Sequence, residues 1–243
     1  MTTELIPYAE GGVDFDAFVA RPDASGVRPD ASGVRPAVLV SHAWAGRESF
    51  EEDKARALAQ LGYVGVAIDL YGVGKRGTDV ASNQALMNPL LESPAILRGR
   101  LEAAYEAARA LPGVDASRVG IIGYCFGGLC AILAARMGLD LRGAVSFHGL
   151  LKVGERLDAR PVARILVEHG QDDPMAPPSD VGDFAAEMKR IDADWQLHAY
   201  PGVVHAFTNP AAADKSFGTV YDAHADRQSW LEMTRFFEDV FVA

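Results

Sequence analysis

Cysteine is scarce in this chain. Cys125 and Cys130 are the only two in 243 residues. A secreted disulfide scaffold carries more, and a five-residue spacing matches neither a Cys-x-x-Cys redox pair nor a zinc pattern. Long apolar runs are lacking too, and none approaches the roughly 20 residues that cross a bilayer. The opening residues, MTTELIPYAEGG, contain no basic segment followed by an apolar one, so no signal peptide is expected. Basic residues are in deficit, with 23 Lys and Arg against 33 Asp and Glu and a formal net charge of −10. Such a chain repels phosphate backbones, which removes nucleic acid from the expected partners. These absences point to a cytoplasmic location, reduced thiols and no membrane partner.

Apolar residues are plentiful at 49%, enough for a sizeable core. Residues 13–20, VDFDAFVA, alternate like a half-exposed strand. Residues 21–36 hold RPDASGV twice and read as a surface loop. Apolar runs at 37–43, 63–72, 118–124, 143–149, 164–170 and 194–202 then read as strands. Helical patterns occupy 48–62, 126–138, 180–191 and 226–243, with another over 83–111 interrupted near Pro89 and Pro94. Strands alternating with helices predict an α/β fold: one domain over 1–243, with a mostly parallel central sheet covered by helices on both faces.

The stretch VGIIGYCFGGLC, Val119 to Cys130, places a cysteine between glycines where a strand meets a helix. Gly123-Tyr124-Cys125-Phe126-Gly127 has the form of a nucleophile elbow, usually built with serine. A side chain two positions before or after the nucleophile would clash across the tight turn, and glycine avoids this. The helix that follows aims its N-terminal N–H groups at the thiol and favours a thiolate. The Phe126 N–H is available for an oxyanion hole. Cys130, among Leu129, Ile132 and Leu133, reads as core.

A cysteine nucleophile needs a base and an orienting acid. In α/β-hydrolases the acid follows the nucleophile and the histidine comes last. VEHGQDDPMAPP (167–178) offers Asp173, which fits Gly-x-x-Asp ahead of Pro177, with Asp172 as the fallback. YPGVVHAFTNP (200–210) offers His205. Of the other histidines, His198 reads as a surface strand residue, His224 lies in an acidic approach to the last helix, and His42, His148 and His169 sit at strand ends, where they could line the site but read more readily as structural.

With GYCFGG, the Asp-Pro turn, YPGVVHAF and SHAWAG, the chain resembles the dienelactone hydrolase family, a cysteine-using branch of the α/β-hydrolases. The resemblance implies a Cys125–His205–Asp173 triad, an oxyanion hole from the N–H groups of Phe126 and Trp44, and hydrolysis of esters or lactones with no cofactor and no metal. The chain departs from the family at three positions. Ala43 stands where dienelactone-cleaving members carry a glutamate, and Val73 and Asn209 stand where they carry carboxylate-binding arginines. The expected substrate is therefore a neutral or differently placed ester or lactone rather than dienelactone. Ala43, Tyr71, Phe207 and Asn209 are candidate pocket residues; Trp44, Tyr71, Phe126 and Phe207 suggest an aromatic lining. Lys75 and Arg76 are a possible alternative anion clamp, or simply solvated loop charges. With Ala43 in place of the glutamate, Cys125 is expected to rely on His205, as a resting thiolate–imidazolium pair.

GVGKRG, Gly72 to Gly77, matches Gly-x-Gly-x-x-Gly but follows a mid-sheet strand, and TDVASNQ continues it poorly as a helix, so nicotinamide binding is not expected. Two other readings share the scaffold: an acyltransferase using the same acyl-enzyme, and a non-enzymatic thiol redox sensor or binding module.

Overall fold

Gly11 and Gly12 both adopt positive φ, 56° and 76°, which suits a two-residue hairpin turn. They join β1 (Thr2–Glu10) to β2 (Val13–Arg21) in antiparallel register from Thr2↔Arg21 to Glu10↔Val13. The computed structural model describes residues 1–23, 33–152 and 160–242. Most of the duplicated RPDASGV segment lies outside the described residues. The chain forms two compact units, Met1–Ile121 and Ile122–Ala243.

The first unit continues with β3 (Arg35–Ser41), α1 (Ser49–Gln60), β4 (Val64–Ile68), α2 (Val80–Glu92) and α3 (Pro94–Arg109), and β5 (Val114–Tyr124) begins in it. β4 pairs antiparallel with β2 and parallel with β3. Its five residues are all buried, as expected for a strand covered on both faces. α1 lays Ala55, Leu58 and Ala59 on this sheet, and α3 buries Leu97, Leu101, Ala104, Tyr105 and Ala108. Burying each such leucine contributes about 1.5–3 kcal/mol.

The second unit contains α4 (Phe126–Arg136), β6 (Gly143–Phe147), β7 (Arg164–Gly170), α5 (Pro178–Arg190), β8 (Trp195–Tyr200), β9 (Ala213–Asp214), β10 (Thr219–Val220) and α6 (Ala223–Val242). β6, β7 and β8 are parallel, with Gly143↔Arg164 and Ile165↔Trp195 in register. Every residue of α4 is buried, which explains why its sequence is apolar on all sides. β9 and β10 form a short antiparallel ribbon. Among the described residues no helix is long and apolar enough to cross a membrane.

The structure corrects two expectations. Residues after GVGKRG do form a helix: the Asp79 side chain accepts from Ser82 N at 2.7 Å and caps α2. Pro89 lies inside α2 and does not interrupt it, whereas Pro94 opens α3. β1 and the β9–β10 ribbon were not expected at all.

Candidate active site

β5 ends at Tyr124 and α4 begins at Phe126, leaving Cys125 alone in the turn with φ 56° and ψ −115°. A non-glycine residue there costs on the order of 1–3 kcal/mol. Gly123 makes the turn possible, because a Cβ on it would lie 1.8 Å from Gly127 O. The Cys125 carbonyl accepts from Gly128 N at 3.0 Å and opens α4, and Cys125 N donates to Phe147 O at 3.1 Å. Neither cysteine is in a disulfide; Cys125 is half-buried, and Cys130 is fully buried, as core.

Asp173 and His205 come from the turns that follow β7 and β8. Asp172 N donates to Val203 O at 2.9 Å and Gln171 N to Tyr200 O at 3.0 Å, so the two turns stay together beyond the strands. His205 Nδ1 lies 2.8 Å from Asp173 Oδ2, and both residues are buried. The other Asp173 oxygen accepts from Met175 N at 2.8 Å. Asp172 is exposed. The small ribbon grips His205 from the opposite side: His205 N donates to Gly218 O at 3.0 Å, and Val220 N donates to His205 O at 3.1 Å. Gly218, with φ 73°, packs against Pro174, and a Cβ on it would lie 2.4 Å from the proline ring.

His205 Nε2 is buried and makes no hydrogen bond of ordinary geometry. Burial alone would lower the imidazole's pKa. A negative charge on Cys125 and the hydrogen bond donated to Asp173 outweigh it and push the pKa up to about 10. The imidazole therefore holds its proton more tightly than a free histidine. Among the described residues no cluster of three or more His, Cys, Asp or Glu is placed to hold a metal ion.

His148 has a larger part than the sequence suggested. It is 2% exposed, its Nδ1 accepts from Cys125 N at 3.2 Å, and its Nε2 meets Thr208 Oγ1 at 2.8 Å. Its ring lies edge-on to His205 at 5.0 Å and to Phe207 at 5.2 Å. His169 is also buried, and burial lowers its pKa. His198 is not a simple surface residue, since its Nδ1 lies 3.2 Å from the buried Glu168 carboxylate, which also accepts from Tyr200 OH at 2.6 Å. His224 is exposed.

Phe126 and Phe207 are fully buried, and Phe207 packs with Val203, Ala225 and Tyr200. Asn209 is exposed and its side chain accepts from Ala211 N at 3.0 Å, closing a turn. Ala43, Trp44 and Tyr71 belong to the first unit, where Tyr71 OH donates to Trp44 O at 3.0 Å. Lys75 is exposed, but Arg76 is tied to the carbonyls of Arg47 and Lys75 and pairs with Asp69 at 3.7 Å. His42 is buried neutral, its pKa lowered to about 4 by burial, and its Nε2 accepts from Leu70 N at 3.1 Å.

Nothing in the sequence singled out Glu51. It is 2% exposed, and its carboxylate accepts from Ala43 N at 3.2 Å and from Glu48 N at 3.0 Å. One side chain thus spans both ends of the 43–48 loop. Burial raises its pKa to about 7, against the pull of those N–H bonds.

Comparison with known proteins agrees with this architecture. The structure called "m3DLH" superposes with a TM-score of 0.91 at 33% identity, covering 99% of this chain and 98% of its own. A dienelactone hydrolase-like promiscuous phosphotriesterase from metagenomic libraries superposes with a TM-score of 0.89 at 31% identity, covering 99% and 98%. A Bradyrhizobium protein named "Probable 2-oxo-3-(5-oxofuran-2-ylidene)propanoate lactonase" is 30% identical over 88% of this chain and 85% of its own. The family model described as "Dienelactone hydrolase family" matches residues 15–241. The chain is an α/β-hydrolase and belongs to the dienelactone hydrolase family.

Proposed function

We propose that this hydrolase cleaves a carboxylic ester or lactone through Cys125, His205 and Asp173. The observation that carries the reading is the 2.8 Å contact between His205 Nδ1 and Asp173 Oδ2, with the opposite imidazole edge electrostatically coupled to Cys125. The Cys125 thiolate attacks the carbonyl carbon, and the Phe126 N–H stabilises the oxyanion. The tetrahedral adduct collapses to a thioester. The alkoxide leaves with the proton from His205 Nε2. His205 then takes a proton from water, the hydroxide attacks the thioester, and the acid departs as the thiolate re-forms. Asp173 holds the imidazole in the required orientation throughout.

The lactonase name of the Bradyrhizobium relative supports a lactone or ester as substrate. Val73 and Asn209 stand where dienelactone-cleaving members carry the arginines that hold a carboxylate, so a neutral substrate is preferred. Two thiols outside any disulfide suit a reducing cytoplasm. The test is pre-steady-state hydrolysis of p-nitrophenyl acetate by wild type and Cys125→Ala. A stoichiometric burst lost in the variant is expected; an equal burst in both would defeat the reading.

A further inference from the structure

Among the described residues, four non-glycine residues adopt positive φ: Cys125, His148, Ala206 and Asp192. The first three adjoin one another. Cys125 is the elbow, Ala206 follows His205, and His148 touches both segments. Backbone strain at one site is kept only where its surroundings hold it there.

His148 makes the holding contacts. Its Nδ1 accepts the Cys125 N–H, so the ring proton sits on Nε2 and donates to Thr208 Oγ1. One imidazole therefore links the backbone of the nucleophile elbow to the loop that carries His205. Its ring also packs edge-on against His205 itself. Thr208 is 1% exposed, so this link is shielded from water.

We propose that His148 is a positioning residue that sets the spacing between Cys125 and His205. This rests on the reading of Cys125 and His205 as nucleophile and base. His148 does not touch the substrate or exchange protons in the reaction. It acts by holding the elbow N–H and the histidine loop at a fixed separation, on which proton transfer between sulfur and nitrogen depends.

The test compares wild type, His148→Phe, His148→Asn, Thr208→Val and Cys125→Ala with p-nitrophenyl acetate, alongside the pH profile of Cys125 alkylation by iodoacetamide. His148→Phe keeps a ring but loses both bonds; kcat should fall on the order of 100-fold with KM nearly unchanged. Its alkylation should lose rate at neutral pH and rise only through the free-thiol range. His148→Asn tolerates positive φ and offers an acceptor to Cys125 N, so it should regain most of that loss. Thr208→Val should lower kcat several-fold, and adding it to His148→Phe should cost little more, because both changes cut one link. Unchanged kcat and alkylation in His148→Phe would overturn the proposal. If that variant does not fold, unchanged kcat in both His148→Asn and Thr208→Val with an unshifted alkylation profile in Thr208→Val overturns it equally. Full activity in Cys125→Ala would instead defeat the underlying assignment of the nucleophile.

Discussion

Asp173 and His205, 32 residues apart in sequence, meet through Oδ2 and Nδ1 at 2.8 Å inside the second unit, while the neighbouring Asp172 turns to solvent. This contact separates two acids that the sequence left in competition. Asp173→Ala should keep the fold and lose 100-fold or more in kcat, on the order of what an orienting acid supplies. Asp172→Ala should stay within about twofold of wild type. Steady-state kinetics on both variants decides it, and the reverse ranking would move the acid to Asp172.

The proton on His205 makes a second prediction. Its pKa is raised from 6.5 to about 10, with Cys125 as the largest raising influence. Removing Cys125 should therefore lower the imidazole pKa, which NMR titration of His205 in wild type and Cys125→Ala reads directly. A raised histidine stabilises the fold fully below its unfolded value and progressively less as pH climbs through about 10. Thermal melts from pH 7 to pH 10.5 should show a steeper loss in wild type than in Cys125→Ala. An imidazole that titrates identically in both proteins would remove this coupling.

Gly218 gives a stability prediction with a kinetic consequence. A methyl group there strains a backbone at φ 73° and strikes Pro174, the residue after Asp173. Gly218→Ala should lose about 1–2 kcal/mol of stability and also lower kcat, because His205 N is bonded to the Gly218 carbonyl. Urea unfolding and kinetics measured together are the check. A stable, fully active variant would mean that the ribbon does not hold the histidine.

Glu51 predicts a pH dependence of opposite sign to a paired carboxylate. Its folded pKa of about 7 lies above the ordinary value of 4.5, chiefly through burial. Between those values the folded state binds more protons than the unfolded chain, so stability falls as pH rises from about 4.5 to about 7. The full effect is roughly 3 kcal/mol. Glu51→Gln keeps one acceptor and carries no charge, so its melting temperature should decline less over that range. Parallel slopes for wild type and variant would refute this.

Much of the fold was legible because buried parallel strands are continuous apolar runs; β4 and β6 are buried at every position. β1 escaped because it is an exposed strand, with Leu5 facing solvent at 58%, and carries no such run. The ribbon escaped because a two-residue strand is too short for any period. Gly-x-Cys-x-Gly and the chain order of acid and histidine made the candidate triad readable. His148 and Glu51 were not readable, since each acts through backbone N–H groups brought near by folding: those of Cys125, and those of Ala43 and Glu48. α2 was misjudged because Asp79 caps it locally, which outweighed a weak apolar pattern.

The contacts that shape the elbow all end on backbone. Gly123 clears space for the Gly127 carbonyl, Phe147 O and His148 Nδ1 share the Cys125 N–H, and the Cys125 carbonyl starts the helix. None of these contacts involves sulfur. The reactive atom is thus an interchangeable tip on a mount built without it. A lineage using this mount could trade a soft nucleophile for a hard one by a single-residue change and keep the same folded scaffold, so chemistry and architecture can evolve on separate clocks.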